Sequence, residues 1–217
     1  VARDMFFLLL LHPNGLRREQ IIAMLWPDAA PAQATSQFHS TLYRMRHALG
    51  LPPLPRASNR YRLDPALDIW ADVAEFEQAI RSAGNADTPQ EQAIVLLGAA
   101  TALYHGPFLE DCYAEWAAEP RSKLESRYIR SLLALARAYQ EQADPDRSID
   151  YYERVLQVDN TLEDVHAQVL RCYAQKNEPA LVREHYQRYT QWLAREVGTA
   201  PSPRLARSYR HLVHEVA

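Results

Sequence analysis

Residues 135–152, LARAYQEQADPDRSIDYY, and residues 169–186, VLRCYAQKNEPALVREHY, carry one pattern twice, 34 residues apart. Tyr139 falls on Tyr173, Pro145 on Pro179 and Tyr152 on Tyr186, while Leu135 falls on Val169 and Ser148 on Val182. A proline at the first position of a helix loses only an N–H that has no intrahelical partner, so Pro145 and Pro179 each read as a helix start. Each copy is therefore two antiparallel helices, the second opened by proline, and a recurring hairpin of this length predicts a stacked helical array. Tyr128, Tyr139, Tyr152, Tyr173, Tyr186 and Tyr189 read as the packing faces of that array rather than as a ligand-stacking platform. Outward from the repeat, helices fit 89–104, 119–142, 146–158, 162–175, 178–197 and 203–216. Asp72, with Glu75 three residues on, reads as an N-cap pair for a further helix ending near 83. A degenerate third unit lies around 90–125, and 71–217 reads as helical throughout.

Residues 1–70 read differently. An apolar helix over 3–12 is followed by the turn His12-Pro13-Asn14-Gly15, in which Asn-Gly supplies positive φ. A short helix over 18–26 buries Ile21, Met24 and Leu25 and stops at Pro27-Asp28. Pro31 opens a longer helix to Leu49, ended by Gly50. Phe38, Leu42, Met45 and Leu49 recur at helical spacing and predict one buried stripe. The opposite face carries Ser36, His39, Ser40, Tyr43, Arg44 and His47. Residues 56–63, RASNRYRL, alternate about Ser58-Asn59 and predict a small β-hairpin. The helix over Phe6 to Leu11 is apolar all round, as a helix covered on both sides should be.

Composition narrows the function. With 6 Gly and 12 Tyr in 217 residues, the chain suits packed helices better than a turn-rich sheet. The run Met5 to Leu11 is too short for a membrane span and lacks the cleavage pattern of a signal peptide. No stretch reaches the ~18 apolar residues of a membrane span, so no membrane partner is expected, and Cys112 and Cys172 stand alone, which points to a reducing cytoplasm. The net charge of −3 is unevenly spread: residues 1–60 hold seven Arg against three acidic residues, +4, leaving −7 on the remainder. The first quarter is thus the part suited to a polyanion. No GxSxG, phosphate-cradling glycine loop or HExxH is present, and the eight His form no metal-ligand spacing. His211 and His214 share a helix face, but two ligands without a third read as surface. Glu110, Asp111 and Glu115 would raise rather than lower the pKa of the Cys112 thiol. The expectation is a binding protein, not an enzyme, with no cofactor and no metal.

The 34-residue hairpin, covering 129–162 and 163–196, resembles the tetratricopeptide repeat, with Asp159-Asn160 where that repeat usually has Asp-Pro. Leu25-Trp26-Pro27-Asp28, then Leu42 to Gly50 (LYRMRHALG), then Tyr61-Arg62-Leu63-Asp64 resemble an OmpR-type winged helix. Leu103 to Leu109 (LYHGPFL) with Trp116, and Glu196-Val197-Gly198 through Pro203, resemble the bacterial transcriptional activator domain. Together they resemble the antibiotic-regulatory-protein class of activators. The resemblance implies an all-α chain: a winged-helix DNA-binding part with a small hairpin over 1–70, incomplete at its N-terminus, and a tetratricopeptide-like activator domain over 71–217. OmpR-type domains begin with a sheet that covers the first helix, so one cover of the 3–12 helix is expected from an upstream segment, from another element that replaces the sheet, or from a partner subunit.

The implied partners are double-stranded promoter DNA, commonly direct repeats, and RNA polymerase. Homodimerisation and an effector in the repeat groove stay open. With the 31–49 helix in the major groove, Thr35, Ser36, His39 and Ser40 would meet base edges or phosphates, and Tyr43, Arg44 and His47 the backbone. Arg56 and Arg60 would reach a minor groove or phosphate. That helix lacks Arg, Lys and Asn before Arg44, so bidentate base contacts fall to Gln33 and Gln37. Two rival readings stand beside this one. In the first, the repeat surface of an interaction scaffold takes a peptide or small effector without DNA binding. In the second, the chain is one piece of a larger ATPase-type signalling regulator. A sheet-forming segment of about thirty residues upstream of Val1 would favour the regulator.

Overall fold

A computed structural model describes residues 1–50 and 59–215, the last of these by its backbone alone. Among the described residues ten α-helices run in order: α1 Ala2–Leu10, α2 Arg18–Leu25, α3 Pro31–Ala48, α4 Asp72–Ala83, α5 Gln90–Leu103, α6 Glu115–Glu141, α7 Pro145–Val158, α8 Glu163–Gln175, α9 Pro179–Trp192 and α10 Pro203–Glu215. A π-helical turn, Leu193–Val197, extends α9 and closes on Gly198 at φ 74°. The described residues are helical apart from turns and loops, with a single isolated β-bridge between Leu16 and Tyr61. No described helix is long and apolar enough to cross a membrane. The chain divides into two units: Val1–Trp70 with Phe108–Ser122, and Ala71–Pro107 with Lys123–Ala217.

The core of the first unit gathers Met5, Leu8 and Leu9 of α1, Leu16, Ile21 of α2, and Phe38 and Met45 of α3. The stripe of α3 is rotated from the one read in the sequence. Ala34, Phe38, Thr41 and Met45 are buried, Leu42 only partly, and Leu49 is exposed because the helix ends before it. The small Ala34 and Thr41 belong to the buried face, which apolar counting alone misses. The turn after α1 takes its positive φ at Gly15, not at Asn14. A Cβ at Gly15 would lie 3.0 Å from the Tyr61 carbonyl oxygen and 3.2 Å from the Cβ atoms of Arg60 and Arg62.

In the described part of the expected hairpin, residues 59–63, that close approach is a single bridge and no strand forms. Leu16 N–H donates to Tyr61 C=O at 2.9 Å and Tyr61 N–H to Leu16 C=O at 2.7 Å. The Tyr61 ring meets Phe38 edge-on, centroids 4.9 Å apart. The alternation of 60–63 therefore reflects Tyr61 and Leu63 packing inward while Arg60 and Arg62 face out, with Tyr61 paired to Leu16. Arg56, Ala57 and Ser58 of the expected hairpin lie outside the described residues.

The far side of α1 has a cover within this unit. Phe7 packs edge-on against Phe108, and Arg3 donates to Asp111 at 2.8 Å. Arg121 shapes that covering segment by donating to the carbonyls of Phe108, Leu109 and Cys112. With Leu109 at φ 47°, those carbonyls converge in a turn that no helix or sheet ladder would satisfy. Trp116 of α6 also packs on this core.

In the second unit the repeat is a repeat of backbone geometry. Asp144 N–H donates to Tyr139 C=O and Ala143 N–H to Gln140 C=O. Glu178 N–H to Tyr173 C=O and Asn177 N–H to Ala174 C=O reproduce both bonds 34 residues later. Ala143 and Asn177 are the left-handed residues, at φ 55° and 57°. These are Schellman turns, which satisfy the last carbonyls of a helix before the next begins. Pro145 and Pro179 then open α7 and α9. Ser148 and Val182 are both fully buried, as are Leu135 and Val169. The Ser148 hydroxyl makes its burial tolerable by donating to Ala136 C=O at 2.9 Å. The expected Asp72–Glu75 cap does not form: α4 starts at Asp72, with Ala71 as N-cap and no side-chain cap bond. Helix α6 starts four residues before the expected 119 and carries Pro120 in its second turn, where the proline has no N–H to give the Trp116 carbonyl.

Candidate nucleic-acid interface

Burying Ala34, Phe38, Thr41 and Met45 turns the opposite arc of α3 to solvent. Ser36, His39, Ser40, Tyr43, Arg44 and His47 are all exposed on it, Tyr43 by 67%. A large aromatic so exposed is either incidental or awaits a partner. Tyr43 lies one turn before His47, ring centroids 6.0 Å apart, so the two rings form a ledge at the C-terminal end of the helix. His39 packs edge-on against Phe38 at 5.3 Å, which fixes the angle at which its ring leaves the core.

Thr35 is half-buried, and its hydroxyl donates to Pro31 C=O at 2.9 Å. Its proton is committed to the helix, leaving oxygen lone pairs to accept. Gln33 is exposed. Gln37 is only partly so, and its side-chain oxygen is buried without a hydrogen-bond partner. Of the two glutamines, Gln33 is the one placed to offer a bidentate edge.

Arg60 is exposed, yet its Nη1 donates to Gly15 C=O at 2.8 Å. This bond ties the cation to the loop after α1. Arg56, the remaining expected contact, lies outside the described residues. The structure thus brings six of the nine expected residues onto one exposed arc. Thr35 borders that arc, and Arg60 is tied to the loop after α1. The Gly15 clasp was not legible in the sequence, since it depends on a pairing 45 residues away. Among the described residues no group of three or more His, Cys, Asp and Glu is arranged to hold a metal ion.

The model of one family, the bacterial transcriptional activator domain, matches residues 71–213. The chain belongs to that family. The matched activator domain begins one residue after Trp70 and includes α4 through most of α10. No curated protein matches the chain. Among solved structures it is similar to Mycobacterium tuberculosis EmbR, a structure determined in complex with a low affinity phosphopeptide, at 23% sequence identity and a TM-score of 0.69. That similarity covers 99% of this chain and 58% of EmbR, so this activator-domain chain spans little more than half of its structural relative. At this identity the likeness speaks to fold alone, and it extends over both units.

Proposed function

We propose that this chain is a sequence-specific DNA-binding transcriptional regulator whose first unit is a winged-helix reader with α3 as the recognition helix. The observation that carries the reading is the exposed arc of α3, polar at its start and cationic toward its end, backed by a one-sided core and preceding an activator domain. Thr35, Ser36, His39 and Ser40 would meet base edges or phosphates, and Tyr43, Arg44 and His47 the flanking backbone. Arg60, held by Gly15, and Arg56 would add phosphate or minor-groove contacts. Bases are then read mostly by hydroxyls, imidazole and Gln33, which predicts modest discrimination per site. Binding to repeated sites by more than one copy would compensate. The hairpins of the second unit, which we take as tetratricopeptide-type, supply the protein contacts the family implies, to RNA polymerase or to a second copy.

The test is fluorescence anisotropy with fragments of the native promoter across ~50–200 mM salt. Arg44→Ala is the principal variant, because Arg60→Ala also breaks the Gly15 clasp. Binding that falls steeply with salt, with a slope shallower by about one unit in Arg44→Ala, supports the reading. Binding no tighter than to unrelated duplex, or equal salt slopes, overturns it.

A further inference from the structure

The second unit contains a cavity of about 350 Å³ between α7, α8 and α9 that DNA binding leaves without a role. Two nearly buried histidines, His166 and His185, lie in its wall. Their protonation follows from their partners. The Asn160 carbonyl can only accept, so His166 Nε2 carries a proton and donates to it at 3.1 Å. His166 Nδ1 must then accept, and His185 Nε2–H donates to it at 2.9 Å. His185 Nδ1 accepts in turn from Arg188 Nη2 at 3.1 Å. Every ring nitrogen is satisfied with both rings neutral. Burial holds both in that state at neutral pH, lowering His166 to about 4 and His185 to about 3.

This chain fixes Arg188 at the cavity edge with donors to spare. Arg188 forms no ion pair among the described residues, and neither does Glu153, which lines the same cavity from α7. The one hydrogen bond of Glu153 is a long one, 3.4 Å from the Tyr173 hydroxyl. A cation and a carboxylate thus share a small cavity and leave each other unneutralised. Beside them Tyr189 and Trp192 present nearly parallel rings, 15° apart in plane. His166 stacks on Tyr189 at 3.6 Å, so Trp192, half-exposed, is the ring left to meet a ligand. The volume lies at the small end of the roughly 300–1,000 Å³ typical of ligand pockets, which favours a single small molecule over a dinucleotide.

We propose that this cavity binds a free aromatic α-amino acid, with its carboxylate on Arg188, its ammonium on Glu153 and its ring against Trp192. A simple anion would leave Glu153 unpaired, a simple amine would leave Arg188 unpaired, and an aliphatic zwitterion would leave the Trp192 face wet. The inference does not depend on DNA binding, because its readout is the ligand itself.

The experiment is isothermal titration calorimetry of the whole chain with L-phenylalanine and L-tryptophan. L-leucine, 3-phenylpropanoate and 2-phenylethylamine serve as probes that each lack one recognised group. The expected result is one saturable site for at least one aromatic amino acid, with each of the three probes at least tenfold weaker. Arg188→Gln and Glu153→Gln are each expected to weaken binding tenfold or more while keeping the parent's circular dichroism spectrum. If Arg188→Gln unfolds the chain through its bond to His185, Trp192→Leu takes its place, with the same loss expected. No saturable heat with either amino acid at about 10 mM overturns the proposal. So do probes that bind as tightly as the amino acids, or folded variants that bind as well as the parent.

Discussion

Gly15 shows how much a single position can hold. Its φ of 75° is open to glycine without penalty, and its missing Cβ is what lets Tyr61 pair with Leu16. Gly15→Ala would incur the left-handed penalty and press on backbone oxygen that cannot rotate away. We expect a loss of about 2 kcal/mol or more, read by urea denaturation. The buried histidine pair makes a second prediction at this scale. Both folded pKa values lie below the ordinary 6.5, so below pH 6.5 the unfolded chain binds protons that the folded chain refuses. The contribution is complete above about pH 6.5 and is lost as the pH falls toward 4. At pH 5 each histidine costs about 2 kcal/mol. Denaturant midpoints at pH 7 and pH 5 measure this, and His185→Gln should show a clearly smaller difference between them.

Among the elements, α3 has a buried packing face and an opposite exposed arc, the one proposed to read DNA. Phe38→Ala removes a fully buried ring that touches Tyr61 and should cost about 3–5 kcal/mol of stability. Tyr43→Ala, on the exposed arc, should change stability by no more than about 0.5 kcal/mol while weakening promoter binding. A thermal melt beside an anisotropy titration distinguishes the two. If Tyr43→Ala destabilises as much as Phe38→Ala, the arc belongs to a packing surface. The turns between helices carry their own prediction. Ala143 holds a left-handed conformation at φ 55° that costs an alanine roughly 1 kcal/mol. Ala143→Gly should therefore stabilise the chain by about 0.5–1 kcal/mol, a rise in melting temperature opposite in sign to most substitutions.

For the whole molecule, charge is unevenly spread along the sequence. The +4 of residues 1–60 lies against −7 elsewhere, and the net charge of −3 resists indiscriminate adhesion to polyanions. Charge attraction is blind to sequence, so repeated sites should be needed for promoter DNA to bind about 10³-fold tighter than random duplex at physiological salt, measured by competition with single-site and repeated-site fragments. Helix number and order were legible because the prolines at 31, 145 and 179 and the glycine at 50 punctuate strongly periodic segments. The family resemblance was legible because motifs such as LYHGPFL are local. What could not be read depends on distant partners. Tyr61 finds Leu16, Arg121 gathers three carbonyls, and His166 finds His185, and no pattern along the chain announces such meetings. The face of α3 was legible because its polar residues recur at helical spacing. Its buried side was misjudged because Ala34 and Thr41, small rather than greasy, are buried where apolar spacing points to Leu42 and Leu49.

The two Schellman turns have a further consequence. Ala143-Asp144 and Asn177-Glu178 leave the chain in the same backbone state, and each hands over to a proline-started helix. Residues 145–178 are thus bracketed by interchangeable joints, and a tandem copy spliced in after Glu178 would need no new joint geometry. Growth by such whole steps is open to this protein, in a way that inserting half a step, which would leave one helix facing the wrong neighbour, is not.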